Sequence, residues 1–331
     1  MGKRSQRSRP FFGLLLVVAL GMTSCALHRQ HKVLKLAHSL PVDHPVHKAM
    51  AFMAKRVDEL SGGRLTIQIY PSGQLGSEQQ CVELVQIGSL AMTKVSAAVM
   101  ESFSDDYKVL GLPYLFRSKE HAFKVQDGEI GRDILLSTEN VWIRGLCFYD
   151  AGSRSFYTVS KPIHTPDDLK GLKIRVMKSK TALEMVRAMG GSPTPLSWGE
   201  LYTALQSGVV DGAENNPPSF YTSHHYEVCK YYTLDEHTAV PDVLIINAKI
   251  WNKLSKQEQQ WLQQAADESV KLQRKLWAES VKESLEAVKK AGVEIFYPDK
   301  SLFRAKVAPV YEEYRKDKLI NDYINRIQNI K

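Results

Sequence analysis

The alternation of apolar and polar residues predicts short strands and helices from residue 33 onward. Residues 33–38 (VLKLAH) and 64–70 (RLTIQIY) have the two-residue alternation of strands, whereas residues 46–60 place apolar side chains at helical spacing before a Ser-Gly-Gly stop. A second helix is predicted over residues 78–87. Strand, helix, strand and helix in this order predict an α/β fold with parallel strand pairing.

The same patterns continue through the second half of the chain, without internal repeats or low-complexity segments. They predict strands over residues 141–149, 154–159, 172–176 and 243–248, and helices over residues 181–189 and 200–206.

Residues 255–291 stand apart because they contain neither Gly nor Pro. Ser255 and Glu258 have the spacing of a capping box at a helix start, and Gly292 follows the segment. One continuous helix would extend about 55 Å at 1.5 Å per residue, more than the diameter of a small domain. We therefore expect it to run across two domains. Two helices broken near Lys275 are the alternative.

The first 24 residues have the pattern of a secretory signal, with a basic stretch before an apolar run over residues 11–22. The run is shorter than the roughly 20 apolar residues that a membrane span needs. Residues 22–25 (MTSC) resemble a bacterial lipobox, so Cys25 is predicted to be lipidated and to become the first mature residue. Residues 25–32 are then predicted to tether the periplasmic protein to the membrane. Plain signal-peptidase cleavage with a soluble product is the alternative.

Composition fits an exported globular protein of about two domains, with 331 residues, 44% apolar and 24% charged. The formal net charge of +8 is not a sign of nucleic-acid binding, because half of the excess lies in the leader. The leader's cations are Lys3, Arg4, Arg7 and Arg9.

The motifs of hydrolases, phosphate-binding loops and zinc proteases are absent from the sequence, which argues against catalysis. His44 and His47 could share a helix face, but no acidic or Cys partner completes a metal-binding spacing. We therefore predict neither a metal nor a cofactor. Cys81, Cys147 and Cys229 are predicted to be buried thiols, and one disulfide among them remains open.

Two arginines are the strongest candidates for ligand binding. Arg175 lies near the carboxyl end of the predicted strand over residues 172–176, where open α/β sheets bind ligands. Its planar guanidinium fits a carboxylate in two parallel hydrogen bonds. Arg154 opens another strand after a tight turn. Either arginine alone could form a structural salt bridge, but the two together favour an anion-binding cleft.

Residues 211–218 (DGAENNPP) form a third candidate cluster. Pro217 and Pro218 are expected to hold the chain away from a helix, so that Asn215 presents its amide to a ligand. An amide both donates and accepts hydrogen bonds, which suits a hydroxyl or a carboxylate.

Several motifs, taken in order, resemble the substrate-binding subunits of TRAP (tripartite ATP-independent periplasmic) transporters, and the resemblance extends from about residue 33 to the C-terminus. The motifs are residues 70–76 (YPSGQLG), 111–116 (GLPYLF), 152–154 (GSR), 168–176 (DLKGLKIRV), 193–195 (PTP), 200–206 (ELYTALQ) and 210–215 (VDGAEN).

This resemblance implies a two-lobed α/β protein with a type II-like periplasmic-binding-protein fold, which closes over an organic acid and delivers it to the TRAP membrane permease subunits. A long helix braces both lobes in the family, as residues 255–291 could do. The implied first lobe comprises residues 33–150 and about 241–280. The second comprises residues 151–240 and about 281–331.

The resemblance also implies roles for five residues. Arg175 would form a bidentate salt bridge with the ligand carboxylate, Arg154 would support that group from a second side, and Asn215 would face it. Glu78 and His38 would contact ligand hydroxyls from the other lobe.

Residues 214–220 (ENNPPSF) and 235–238 (DEHT) are similar to family members that bind hexuronates such as glucuronate or galacturonate. Met177 departs from the family, in which Pro often follows Arg-Val, so the nearby pocket wall is undetermined. Binding of sialic acid, a four-carbon dicarboxylate or a keto acid remains an alternative. An exported sensor that signals to a receptor kinase and a sugar-acid lyase are the alternatives from other classes.

Overall fold

The computed structural model describes Gly2 and residues 31–331. The predicted signal segment, the lipidation site Cys25 and most of the predicted tether lie outside the described residues. Residues 31–331 form two lobes, each with its own β-sheet and surrounding helices, and this confirms the predicted fold class. Among these residues, no helix combines the length and the apolar character that a bilayer crossing requires.

The sheet of the first lobe contains β1 (Lys32–Ala37), β2 (Leu65–Tyr70), β3 (Met92–Ser96), β4 (Ile143–Tyr149) and β10 (Asp242–Asn247). Their order is β2-β1-β3-β10-β4. The predicted parallel pairing holds for β1 with β2 and β3, whereas β10 runs antiparallel to β3 and β4. β10 differs because the chain enters it from the other lobe.

The sheet of the second lobe contains β5 (Arg154–Thr158), β6 (Lys173–Val176), β7 (Ser192–Pro195), β8 (Gly212–Asn215), β9 (Tyr231–Thr238) and β11 (Glu294–Phe296). Their order is β11-β9-β5-β8-β6-β7. β6 lies parallel to β7 and β8, and β5 lies antiparallel to β8 and β9. β5, like β10, is thus an antiparallel strand that the chain enters from the opposite lobe.

Local sequence signals define the helices of the first lobe. The helix predicted over residues 46–60 extends over Pro45–Ser61 and ends at Gly62, which has a left-handed φ of 59°. Other helices of this lobe are Glu78–Ile87, Ala97–Met100, Lys119–Asp127, Glu129–Leu136 and Ala248–Lys253, with 3-10 turns at Asp105–Gly111 and Glu139–Val141.

The second lobe contains helices Lys180–Ala188, Trp198–Gln206, Pro217–Thr222 and Lys300–Tyr314, with 3-10 turns at Pro166–Leu169 and His225–Glu227. The prediction that Pro217 and Pro218 exclude a helix is wrong, because both lie in the first helical turn, where a backbone N–H is not needed. The Asn216 side chain caps this helix by accepting a hydrogen bond from the backbone N–H of Ser219 at 2.9 Å.

The long helix is continuous over Lys256–Lys290, so the alternative of two helices broken near Lys275 is wrong. Its 35 residues extend about 52 Å. Its first half packs Leu262 and Ala266 into the first lobe, and Val288 near its end is buried in the second lobe. The predicted brace between the lobes is confirmed.

The last helix, Lys318–Asn329, returns to the first lobe. The Tyr323 hydroxyl donates a hydrogen bond to Asp106 at 2.8 Å, and Arg326 pairs with Asp133 at 2.7 Å. The predicted division, which assigns residues 281–331 to the second lobe, is therefore wrong for this helix. Its contacts join residues about 200 positions apart, which local sequence patterns do not encode.

Four segments of the described chain thus pass between the lobes. They are residues 150–153, residues 239–241, the long helix and residues 315–317.

Candidate functional site

A cavity lies between the two lobes, and its open space, including the part that is continuous with solvent, is about 770 Å³. Both lobes and the long helix contribute to its lining. The polar and aromatic lining residues include His44, Glu78, Lys94, Asp242, Arg154, Arg175, Lys178, Trp198, Asn215, Ser219 and Trp277. The structure therefore brings four of the five predicted binding residues together and leaves His38 outside the cavity lining.

Arg175 lies in β6, between β7 and β8, and is only 2% exposed. Its Nε and Nη2 donate hydrogen bonds to the backbone oxygen of Leu196, at 3.0 and 2.7 Å. Nη1 is buried and has no hydrogen-bond partner among the described residues. Burial lowers the pKa of the Arg175 guanidinium, and no carboxylate of residues 31–331 forms an ion pair with it. The outer edge of this guanidinium is thus available to an anion.

Arg154, at the start of β5, is held by a carboxylate of the protein itself. Its Nε and Nη2 contact the Glu214 carboxylate, the latter at 2.9 Å, and Nη1 donates to Asn215 Oδ1 at 2.9 Å. Burial opposes the charge of each partner, yet Glu214 raises the pKa of Arg154, and Arg154 helps to lower the pKa of Glu214 to about 2. Arg154 is therefore a cation of fixed orientation with few free donors.

Glu214 is shared with a second buried cation. His237 Nε2 lies 3.5 Å from Glu214 Oε2, and its Nδ1 lies 2.8 Å from Asp235 Oδ2. Burial disfavours the imidazolium, but these two carboxylates raise the pKa of His237 to about 9. Asp235, His237, Glu214 and Arg154 thus form a chain of alternating charges that fixes the Arg154 guanidinium.

Asn215 ends β8 and is 4% exposed. Its Oδ1 accepts hydrogen bonds from Arg154 Nη1 and from the backbone N–H of Asn216, both at 2.9 Å. The acceptor side of the amide is therefore engaged within the protein, and the Nδ2 donor remains for the cavity. Met177, where the family pattern often has Pro, also lines the cavity.

Glu78 contributes to the cavity from the first residue of the helix Glu78–Ile87. It lies 3.1 Å from the ammonium of Lys94, which in turn lies 3.0 Å from Asp242 Oδ1. Lys94 and Asp242 were missed by sequence reasoning. A Lys within the largely apolar residues 90–100, and an Asp directly before the apolar run of β10, were the signals that could have found them.

His38 and His44 differ in their position relative to the cavity, and only His44 lines it. His38 Nδ1 accepts a hydrogen bond from the backbone N–H of Leu40 at 3.2 Å, and its Nε2 bonds to His47 Nδ1 at 3.0 Å. Burial lowers the pKa of His38 to about 3. The geometry therefore does not support His38 as a ligand contact, because its ring is buried outside the cavity and both nitrogens have partners.

His44, by contrast, lines the cavity and connects the lobes. Its Nδ1 accepts a hydrogen bond from the backbone N–H of Val46 at 3.2 Å and caps the helix there. Nε2 therefore carries the proton and donates to Ser219 Oγ of the second lobe at 3.3 Å. Burial lowers the pKa of His44, which keeps this donor neutral.

The cysteines and Phe220 near the site are structural residues. Cys81, Cys147 and Cys229 are free, buried thiols, so the alternative of a disulfide among them is wrong. Phe220 is fully buried, with ring centroids 4.6 Å from Tyr157 and 4.7 Å from Tyr232, and it is a core residue.

Comparison with known proteins finds relatives of similar sequence and solved structures of the same fold. Residues 36–317 match the family described as bacterial extracellular solute-binding protein, family 7. A solute-binding protein of Chromohalobacter salexigens is 38% identical over 277 residues, which cover 83% of this chain and 82% of that protein.

Two solved structures of TRAP periplasmic solute-binding proteins are also similar. The protein of a Bradyrhizobium species, in complex with α/β-D-galacturonate, is 40% identical with a TM-score of 0.88, covering 90% of this chain and 100% of that one. The protein of Anaerococcus prevotii, with bound α/β-D-glucuronate, is 38% identical with a TM-score of 0.88, covering 90% and 97%. The chain therefore belongs to family 7 of the bacterial extracellular solute-binding proteins, the periplasmic substrate-binding subunits of TRAP transporters, which bind small organic acids and work with membrane permease subunits.

Proposed function

We propose that this protein captures a hexuronate, such as glucuronate or galacturonate, between its lobes and delivers it to a TRAP permease. The observation that carries the proposal is the Arg175 guanidinium, which is buried while its Nη1 has no partner in the described chain. Buried polar groups are almost always hydrogen-bonded, and a ligand carboxylate would supply the missing acceptor.

The carboxylate is proposed to lie against the second lobe. There it accepts hydrogen bonds from the outer edge of Arg175, while Asn215 Nδ2 and the remaining Nη1 hydrogen of Arg154 contact it from a second side. Arg154 is already paired with Glu214, so Arg175 is the buried cation at this wall that has no carboxylate partner among the described residues.

The opposite wall supports a polyhydroxylated ligand. Glu78 accepts hydrogen bonds, Lys94 donates them, and His44 borders the same space. The bound hexuronates in two relatives at 38% and 40% identity support the same ligand class.

The test is a thermal-shift screen of the mature protein with galacturonate, glucuronate, succinate, sialic acid and a 2-keto acid, followed by calorimetry of each hit. Ligand at a hundred times its Kd adds about 2.7 kcal/mol to the stability of the folded state, a readily measured shift. We expect both hexuronates to bind with 1:1 stoichiometry. A strong shift by succinate or sialic acid with none by the hexuronates would overturn the proposal.

We propose further that the protein binds its ligand without transforming it. Membership of a transport family and the absence of hydrolase and metalloprotease motifs from the sequence support this role. NMR spectra of galacturonate incubated with the protein and added divalent metals should show the sugar acid unchanged. Any turnover would favour the lyase alternative.

Attachment to the membrane through a lipid on Cys25 is also a proposal, and it is based on the lipobox-like residues 22–25. Cells that express the full chain should incorporate labelled palmitate into it, and the Cys25→Ala variant should not. Equal labelling of both proteins would show that Cys25 is not the lipidation site.

A further inference from the structure

The first lobe presents three charges to the cavity, in the order carboxylate, ammonium, carboxylate, of which Lys94 and Asp242 are buried and Glu78 is partly buried. The Lys94 ammonium lies 3.1 Å from Glu78 Oε1 and 3.0 Å from Asp242 Oδ1, and the Lys94 side chain is 3% exposed. β3 and β10 are antiparallel neighbours, and Asp242 lies opposite Ser96, two residues along β3 from Lys94. The side chains of Lys94 and Asp242 therefore lie on the same face of the sheet. We call Glu78, Lys94 and Asp242 the acidic wall.

The acidic wall has a net charge of −1, because one ammonium is shared by two carboxylates. The other groups that bond to Glu78 are neutral donors, the Ser39 hydroxyl and the Ser96 backbone N–H, both at 3.3 Å. Among residues 31–331, no further Lys or Arg pairs with Glu78 or Asp242. Burial raises the pKa of Asp242 to about 6, which indicates that negative charge is already costly at this wall.

The hydrogen-bonding capacity of the wall matches hydroxyl groups. Lys94 has three N–H donors and uses two of them on the carboxylates, so that one remains. The carboxylate oxygens offer free lone pairs beside it. A ligand hydroxyl can donate to a carboxylate and accept from the ammonium, whereas a ligand carboxylate can only accept.

The two sides of the cavity therefore differ in charge, with unpaired Arg175 on one side and the acidic wall on the other. We propose that the acidic wall makes the site selective for acids with one carboxylate and a hydroxylated far end, and that it excludes the corresponding dicarboxylates. The inference rests on the proposed function and narrows its ligand class, because it separates uronates and aldonates from aldarates.

The test compares D-galactonate with galactarate by calorimetry at pH 7.5, with galacturonate as a reference. The first two acids share one open-chain skeleton and differ only at the far end, which is a hydroxymethyl group in one and a carboxylate in the other. Placing like charges together at a buried interface costs several kcal/mol, so we expect galactonate to bind at least about 100-fold more tightly than galactarate.

Variants locate the source of the discrimination. Glu78→Gln and Asp242→Asn each remove the net charge of the wall, and each should reduce the galactonate preference by about tenfold or more. Asp167→Asn is the matched control, because Asp167 is an exposed acid of the second lobe that pairs with Lys306 at 2.9 Å. This control should leave the preference unchanged.

The outcomes separate the inference from the proposed function. Wild-type protein that binds galactarate as tightly as galactonate overturns the inference, whether or not the variants fold and whether or not galacturonate binds. An unchanged preference in both folded wall variants overturns it as well. Binding of galactonate without galacturonate contradicts the hexuronate proposal, while the galactonate-to-galactarate ratio still decides the role of the wall.

Discussion

Replacing Arg175 tests the carboxylate-binding role most directly, because the structure predicts a large effect on ligand affinity and a small one on ligand-free stability. In Arg175→Met, a side chain of similar length fills the space without the charge. The ligand carboxylate then loses the hydrogen bonds that the outer edge of the guanidinium would donate. Arg154 cannot replace them, since Glu214 and Asn215 already occupy most of its donors.

The size of the loss follows from these contacts. Two hydrogen bonds to a charged group contribute about 1.5–3 kcal/mol each. A charge left buried without its partner costs roughly 3–5 kcal/mol, which agrees with that sum. At 1.4 kcal/mol per factor of ten, Arg175→Met should weaken hexuronate binding about 100- to 4,000-fold. Arg175→Lys should fall between this variant and wild type, because it keeps the charge and loses the planar fork.

Ligand-free stability should respond differently. Removing a buried, unpaired guanidinium relieves its desolvation cost, whereas the Leu196 carbonyl loses the two bonds that Arg175 donates. These effects nearly cancel, so the free energy of unfolding should change by no more than about 1 kcal/mol.

Calorimetry gives the affinity and urea unfolding gives the stability, with Arg187→Ala as an exposed arginine control in the same lobe. If Arg175→Met unfolds much more easily yet binds as tightly as wild type, Arg175 is a structural residue and the proposed role is wrong.

Two further predictions concern the buried charges and the contact between lobes. The pKa of His237 is raised from 6.5 to about 9, so its stabilising contribution is complete below pH 6.5 and is lost as pH rises toward 9. Urea unfolding should show this decline in wild type and a smaller one in His237→Gln, and equal declines would contradict the charge assignment. Thr181→Val removes a hydroxyl that donates across the lobes to Glu101, so ligand binding should weaken about 2- to 12-fold, as expected for one hydrogen bond. Unchanged ligand dissociation in stopped-flow fluorescence would show that this contact does not hold the lobes closed.

Structural elements whose signals lie within their own residues could be predicted from the sequence. The long helix was predicted because its capping box, its lack of Gly and Pro and its terminal Gly292 are adjacent in sequence to the helix itself. Arg175 and Arg154 were identified for a related reason, since each lies where a strand meets a turn and the ends of neighbouring strands come together at one edge of a sheet.

Partners distant in sequence could not be predicted in the same way. Lys94 and Asp242 meet only through the antiparallel pairing of β3 with β10, and Arg154 meets Glu214 only through the pairing of β5 with β8. Strand register depends on the packing of whole sheets, and no local pattern in this chain specified it. The helix at Pro217 was missed for a local reason, because proline breaks a helix interior but suits its first turn.

The four segments that pass between the lobes have a mechanical consequence for how the protein opens. Several connections between two lobes restrict sliding and torsion of one lobe against the other, so we expect opening to follow mainly a single hinge angle. The distance between two probes, one in each lobe, is then enough to describe this movement. Spin labels at the exposed Ile87 and Val209, one in each lobe, would follow the complete opening and closing cycle with a single pair of probes.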